Sequence, residues 1–134
     1  MARYVIDAPT LLHLVAGGSA IDPTHQLVAP NAIRSDALQL LLREVRQGAR
    51  PEKEALQLHE RMTELKIRML GDQISRQTAW KIALDRDWDT LRDAEYLAVT
   101  KLQADALITV DPELAAKADG VVPLADLQDL LSDG

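Results

Sequence analysis

The sequence predicts an α/β fold in which helices flank a central, short parallel sheet of about four to five strands. Three observations predict it. Short β-branched runs, each too brief for a helix, alternate along the chain with longer stretches in which apolar residues recur every three or four positions. Proline and glycine punctuate the changeovers, at Pro9, Gly17-Gly18, Pro30, Gly48, Pro51, Gly71 and Pro112. The chain has 134 residues, 47% hydrophobic and 27% charged, which fits one domain with an ordinary core and argues against disorder. Strand and helix in regular alternation give a parallel sheet with helices on its faces.

Taken in order, Arg3 to Asp7 reads as a first strand, and Pro9 opens a short helix that ends at Gly17-Gly18. Asp22-Pro23 marks a loop. Pro30 is expected to start a helix running to about Gln47, with Ile33, Ala37, Leu40 and Leu41 as its apolar stripe. Pro51 begins another helix whose Ala55, Leu58, Met62 and Leu65 share one face, and Ile67 to Leu70 forms a short strand. A helix from Asp72 to about Asp87 carries Ile74, Ala79, Trp80, Ile82, Ala83 and Leu84, and the polar run Asp85 to Thr90 ends it. A further helix spans about Leu91 to Gln103. Ala106 to Val110 is strand-like, Asp111-Pro112-Glu113 starts a helix, Val121 to Leu124 is expected as a last strand, and Ala125 to Leu131 as a closing helix. No linker, repeat or low-complexity tract divides residues 1–134, so one domain is expected throughout.

Composition excludes several kinds of chemistry. Without cysteine there are no disulfides, thiolate zinc sites, iron–sulfur ligands or Cys nucleophile. The three histidines, His13, His25 and His59, share no ligand spacing. No apolar run reaches the roughly 18 residues of a membrane helix, and Met1 to Asp7 lacks the pattern of a signal peptide, so a soluble, cytoplasmic protein is the expectation. With 21 acidic against 15 basic residues the net charge is −6, which removes the simplest basis for nucleic-acid binding, a broad cationic surface. The acids are unevenly divided into 14 Asp and 7 Glu. Aspartate favours helix starts, turns and hard-metal sites over helix interiors.

Four aspartates stand out. Asp7 ends the first strand and Asp111 directly follows the strand Ala106 to Val110, so a parallel sheet puts both at its carboxyl edge, where open α/β sheets bind ligands. Asp93 lies in the first turn of its helix. Asp36 is expected in the second turn of the Pro30 helix, at the margin of the apolar stripe, a poor place for a carboxylate that only faces water. Taken one at a time, three of the four read first as helix caps: Asp7 before Pro9, Asp111 before Pro112, and Thr90 with Asp93 as a capping-box variant; it is their convergence that favours a site. Close carboxylates repel one another by roughly 1 to 4 kcal/mol per pair, a cost that a bound divalent cation relieves, and oxygen donors without His or Cys suit Mg²⁺ or Mn²⁺.

Tyr4-Val-Ile-Asp7-Ala8, Asp36 on a helix, Asp93-Ala-Glu-Tyr96-Leu-Ala and Leu107-Ile-Thr109-Val-Asp111 resemble the PIN-domain ribonucleases over nearly the whole chain. The similarity is to the VapC-type toxins of toxin–antitoxin pairs. Order and spacing together carry it, not any single motif. The resemblance implies that Asp7, Asp93 and Asp111 bind metal, with Asp36 where the family usually has Glu. Asp is one methylene shorter, and Glu44, about two turns along the same helix, is a rival. Thr109 matches the family's hydroxyl residue beside the last acid, and Glu113 is the nearest match to a further acid or amide; strand packing and helix-dipole stabilisation account for these two as well.

A site of this kind implies one or two Mg²⁺ ions that activate a water and neutralise charge on the scissile phosphate, with no protein nucleophile. It agrees with the lack of a Gly-x-Ser-x-Gly or phosphate-loop motif. Arg34, Arg43, Arg92 and Lys101 are available for RNA, though each also reads as a solvated helix-face charge. His13, Trp80 and Trp88 read as helix and core residues. The resemblance further implies a homodimer and a VapB-type antitoxin, and the helix from Pro51 to about Leu65 is expected to present part of the apolar partner surface or, equally, to face the core. Competing readings are a PIN-like binding module weakened by the short Asp36 and, behind it, a phosphatase with a related acid cluster.

Overall fold

In the computed structural model, which describes residues 1–18 and 20–131, the chain forms β1 (Arg3–Ile6), α1 (Ala8–Gly17), β2 (Gln26–Pro30), α2 (Ile33–Arg46), α3 (Glu52–Glu64), β3 (Arg68–Leu70), α4 (Gln73–Arg86), α5 (Arg92–Gln103), β4 (Ala106–Ile108) and α6 (Pro112–Ala118), then a 3-10 turn (Leu127–Leu130). The four strands make one sheet in the order β3-β2-β1-β4. Every pairing is parallel, with Val5 opposite both Val28 and Leu107. The single-domain reading extended to residue 134, and its last three residues lie outside those described.

Four expectations are corrected. Pro30 does not open a helix; it ends β2, and α2 begins three residues later at Ile33. The run Leu27 to Pro30 is buried throughout, so it shows no polar alternation to mark it as a strand. Proline is tolerated there because pairing with β1 stops at Val28, and beyond it the ladder continues only to β3, where Asn31 N–H donates to the Leu70 carbonyl at 2.9 Å. With the later start, Asp36 falls in the first turn of α2, not the second. Val121 to Leu124 likewise forms no strand. Pro123 interrupts it, leaving one parallel bridge between Leu124 and Leu107, fixed by Leu107 N–H to the Pro123 carbonyl and Ala125 N–H to the Leu107 carbonyl, each 2.9 Å. The expected closing helix from Ala125 is only the 3-10 turn, and β4 stops at Ile108, two residues short of Val110.

The core lies where α5 crosses β1, β2 and β4, with Val5, Ile6, Leu97, Leu107 and Ile108 almost wholly buried. On α3, Ala55, Leu58 and Met62 are buried too, so that stripe faces the core and not a partner. Each such side chain contributes roughly 1.5 to 3 kcal/mol when fully buried. The exposed leucine of α3 is Leu56, which joins Leu38 and Leu42 of α2 along a groove of about 440 Å³. Trp80, expected in the core, is 60% exposed on α4, with Ile74 and Leu84 also exposed; Trp88 packs at the core margin. Among the described residues no helix is long and apolar enough to cross a membrane.

Candidate functional site

Asp7 is 3% exposed, at the step from β1 into α1. Its backbone is extended and one carboxylate oxygen accepts from Thr10 N–H at 3.3 Å, so the capping reading holds. Capping does not account for the rest of its surroundings. The Thr10 hydroxyl donates to that same oxygen, and the Thr109 hydroxyl donates to the other at 2.7 Å. Each hydroxyl in turn accepts a backbone N–H from the loop after β4, Val110 N–H to Thr10 and Asp111 N–H to Thr109, both 3.0 Å. Accepting those bonds turns each O–H toward Asp7, and the first turn of α1 and the loop after β4 are thereby tied together.

Asp111 caps α6, accepting Glu113 N–H at 2.9 Å, and both residues line the same cleft. Asp93 is not part of a capping box, because α5 begins after Leu91 without any side-chain cap. Its carboxylate instead pairs with Lys117 Nζ of α6 at 2.6 Å, and that ammonium lies 5.2 Å from the centre of the Trp88 ring. Asp36 accepts the Tyr96 hydroxyl at 2.9 Å. Tyr96 comes from α5 and is buried.

Together these residues line one cleft of about 580 Å³ at the carboxyl edge of the sheet: Asp7, Asp36, Asp93 and Asp111 all border it, with Arg43, Arg92, Tyr96 and Glu113. The rival Glu44 does not; it is held by Arg50 at 2.6 Å near the far end of α2. Nor does Arg34, whose guanidinium donates to the Leu65 carbonyl at 3.2 Å, or Lys101, in the last turn of α5. Sequence reasoning named neither Thr10 nor Lys117 and gave Tyr96 no role. The one available signal was local, a hydroxyl three residues after the capping aspartate.

Negative charge in the cleft is incompletely balanced. Burial raises the Asp7 carboxyl above its ordinary range, and the Thr10 and Thr109 hydrogen bonds only partly offset this. Burial, with the Asp36 charge beside it, raises Glu95 as well, and the same two causes push the Tyr96 hydroxyl far up, so that it stays a neutral donor. Lys117 is raised by its bond to Asp93. Carboxylates and hydroxyls without nitrogen or sulfur are the donor set of a hard divalent cation, and a buried carboxylate held by neutral hydroxyl and backbone donors, with no cation beside it, is where such an ion gains most. The fit is one of chemistry. Among the described residues no three His, Asp or Glu side chains stand close enough to hold one ion as they are now arranged, and Asp93 is turned to Lys117.

No protein-family model and no curated protein matches the chain significantly. Solved structures do. PAE2754 from Pyrobaculum aerophilum is 28% identical and superposes with a TM-score of 0.70, over 95% of this chain and 90% of that one. Mycobacterium tuberculosis VapC20, a sarcin-ricin loop cleaving toxin, is 17% identical with a TM-score of 0.58, over 90% and 98%. VapBC-1 from nontypeable Haemophilus influenzae is 13% identical with a TM-score of 0.56, over 92% and 97%. The α/β architecture with its parallel β3-β2-β1-β4 sheet is therefore the fold of PIN-domain VapC proteins.

Proposed function

We propose that this chain, built on the fold of PIN-domain VapC toxins, is a Mg²⁺- or Mn²⁺-dependent endoribonuclease and the toxin of a toxin–antitoxin pair. One observation carries the reading: the four aspartates singled out by the sequence, 104 residues apart at the extremes (111 − 7), line a single cleft at the carboxyl edge of the sheet. Asp7, Asp93, Asp111 and Asp36 are the residues that would hold the metal. When bound, the ion supplies an activated water and neutralises charge on the phosphate under attack. The chain's own groups do the rest. Thr10 and Thr109 fix the Asp7 carboxylate, Tyr96 fixes Asp36, and Arg43 and Arg92 offer the RNA backbone positive charge beside an otherwise acidic opening.

The partner reading follows from charge and surface. A net charge of −6 favours a basic partner segment, and the exposed Leu38, Leu42 and Leu56 give an antitoxin or a second copy of the chain an apolar seat away from the acids. Cytoplasmic location belongs with this reading, since the substrate RNA is there. The decisive experiment incubates the purified protein with RNA in Mg²⁺, in Mn²⁺ and in chelator. Metal-dependent cleavage lost in Asp7→Asn supports the proposal, and cleavage unaffected by chelator overturns it.

A second reading is favoured by one specific observation. Lys117 already occupies Asp93, and among the described residues no three acids are grouped for an ion. A PIN-like binding module in which Asp36 and Lys117 have weakened the metal site would bind RNA or protein in the same assay and cleave nothing at any metal concentration.

A further inference from the structure

The carboxyl edge of the sheet carries two compartments. The ends of β1 and β4 open onto the acid cleft. The ends of β2 and β3 open onto a second cavity of about 210 Å³, built on Asn31 and Gly71. Only the first turns of α2 and α5 separate the two: Ala32 and Glu95 line the second cavity, whereas Asp36, Asp93 and Tyr96 line the cleft. The two are close enough for the Asp36 charge of the cleft to act on Glu95 of the cavity, so one strand of RNA could reach both.

The composition of this cavity differs from that of the cleft. Leu70 and Val99 supply apolar walls, and Asn31, Ser75, Arg76 and Glu95 supply polar groups. Glu95 is partly withdrawn from water and receives no hydrogen bond among the described residues, while Arg76 attracts it and is anchored by a bond to the Gly71 carbonyl at 3.3 Å. Gly71 lets the Asn31 amide approach closely, since a Cβ there would fall 2.1 Å from the Asn31 side-chain nitrogen and displace it. A lone carboxylate repels RNA and a lone guanidinium takes any phosphate, but the two together between apolar walls suit the edge and faces of a base.

We propose that this cavity receives one unstacked base of the RNA beside the scissile phosphate, and that the base is guanine; the inference rests on the ribonuclease reading. Guanine alone among the four bases offers a carboxylate two adjacent N–H donors, at N1 and N2, and its O6 and N7 accept from a guanidinium. Adenine would set its N1 lone pair against Glu95, cytosine its N3 lone pair, and uracil has one N–H flanked by two carbonyls.

The test measures binding of the wild-type protein, in chelator, to labelled twelve-nucleotide oligouridines carrying one central guanosine, inosine or adenosine. Guanosine is expected to bind about ten- to a hundred-fold more tightly than adenosine, with inosine, which lacks the N2 amine, between them. Glu95→Gln should erase the preference and retain affinity for plain oligouridine. Gly71→Ala, which displaces Asn31 and leaves Glu95 in place, should reduce it. Equal affinity for all three oligonucleotides in the wild type, or an undiminished preference in Glu95→Gln, overturns the proposal. Magnesium-dependent cleavage without base preference would leave the ribonuclease reading standing alone, and a guanosine preference in a chain that cleaves nothing would keep the pocket and remove that reading.

Discussion

The acids at the strand ends and the acids on the helices are held in different ways. Asp7 and Asp111 sit where the backbone leaves β1 and β4, and both accept from the backbone of the helix that follows. Asp7 also receives two hydroxyls whose own orientation is set by the main chain. Asp36 and Asp93 ride in the first turns of α2 and α5 and are restrained by the tips of long side chains, Tyr96 and Lys117. The first pair is positioned by folding itself. The second pair is held by side-chain tips alone, so it is where ligand binding is expected to change the structure most.

Disrupting the rigid pair should have the larger effect. Asp7→Asn is expected to cut metal-dependent RNA cleavage by at least about a hundred-fold, measured on a folded variant. The same change should raise the melting temperature of the metal-free protein, because it removes a buried charge. Its pH dependence has a definite sign. The folded carboxyl of Asp7 lies above its ordinary value of 3.8, so the stability held by the protonated form is fully present below that pH and lost as pH rises through the folded value. The melting-temperature gap between Asp7→Asn and wild type should open over that window and close in acid; a gap independent of pH would show that Asp7 ionises without strain.

Thr109→Val leaves the carboxylate and removes one of the groups that aim it, with an expected ten- to hundred-fold loss of activity or metal affinity. Changes at the helix-borne pair should be smaller and differ in sign. Lys117→Met frees Asp93, and metal titration should show a several-fold lower Mg²⁺ requirement; a higher one would mean that the ammonium helps the reaction. Tyr96→Phe removes a single hydrogen bond, worth about 1 kcal/mol and so roughly five-fold in activity. Asp36→Glu should shift the metal requirement least, about two-fold downward, since it lengthens an arm whose tyrosine partner remains. Independently of these, Leu56→Glu should block a partner at the α2–α3 groove without unfolding the chain, read by light scattering and antitoxin co-purification.

Much of this arrangement was legible in the sequence, for local reasons. Asp7 and Asp111 were found because each follows a β-branched run and precedes proline, and Asp36 because a carboxylate at the margin of an apolar stripe requires a partner. That partner, Tyr96, is 60 residues away, and Thr109 reaches Asp7 across 102. Such distant pairings leave no periodic trace. Strand β2 escaped because burial on both faces erases alternation and its terminal Pro30 imitates a helix start. The α3 stripe identified an amphipathic helix correctly, but Ala55, Leu58 and Met62 were equally consistent with a core and with an interface. Only packing separates those two.

The contact between Lys117 and Trp88 makes the cleft optically visible. One ammonium group touches both Asp93 and an indole face, so any ligand that takes over Asp93 must move a charge relative to the Trp88 ring. The second tryptophan, Trp80, is largely in water, so its emission is expected to lie to the red of the half-covered ring and to stay constant while the cleft fills. In a Trp80→Phe background the chain becomes a protein with one intrinsic fluorophore beside the acid whose partner changes, and occupancy of the cleft could be followed by emission alone, without label or substrate.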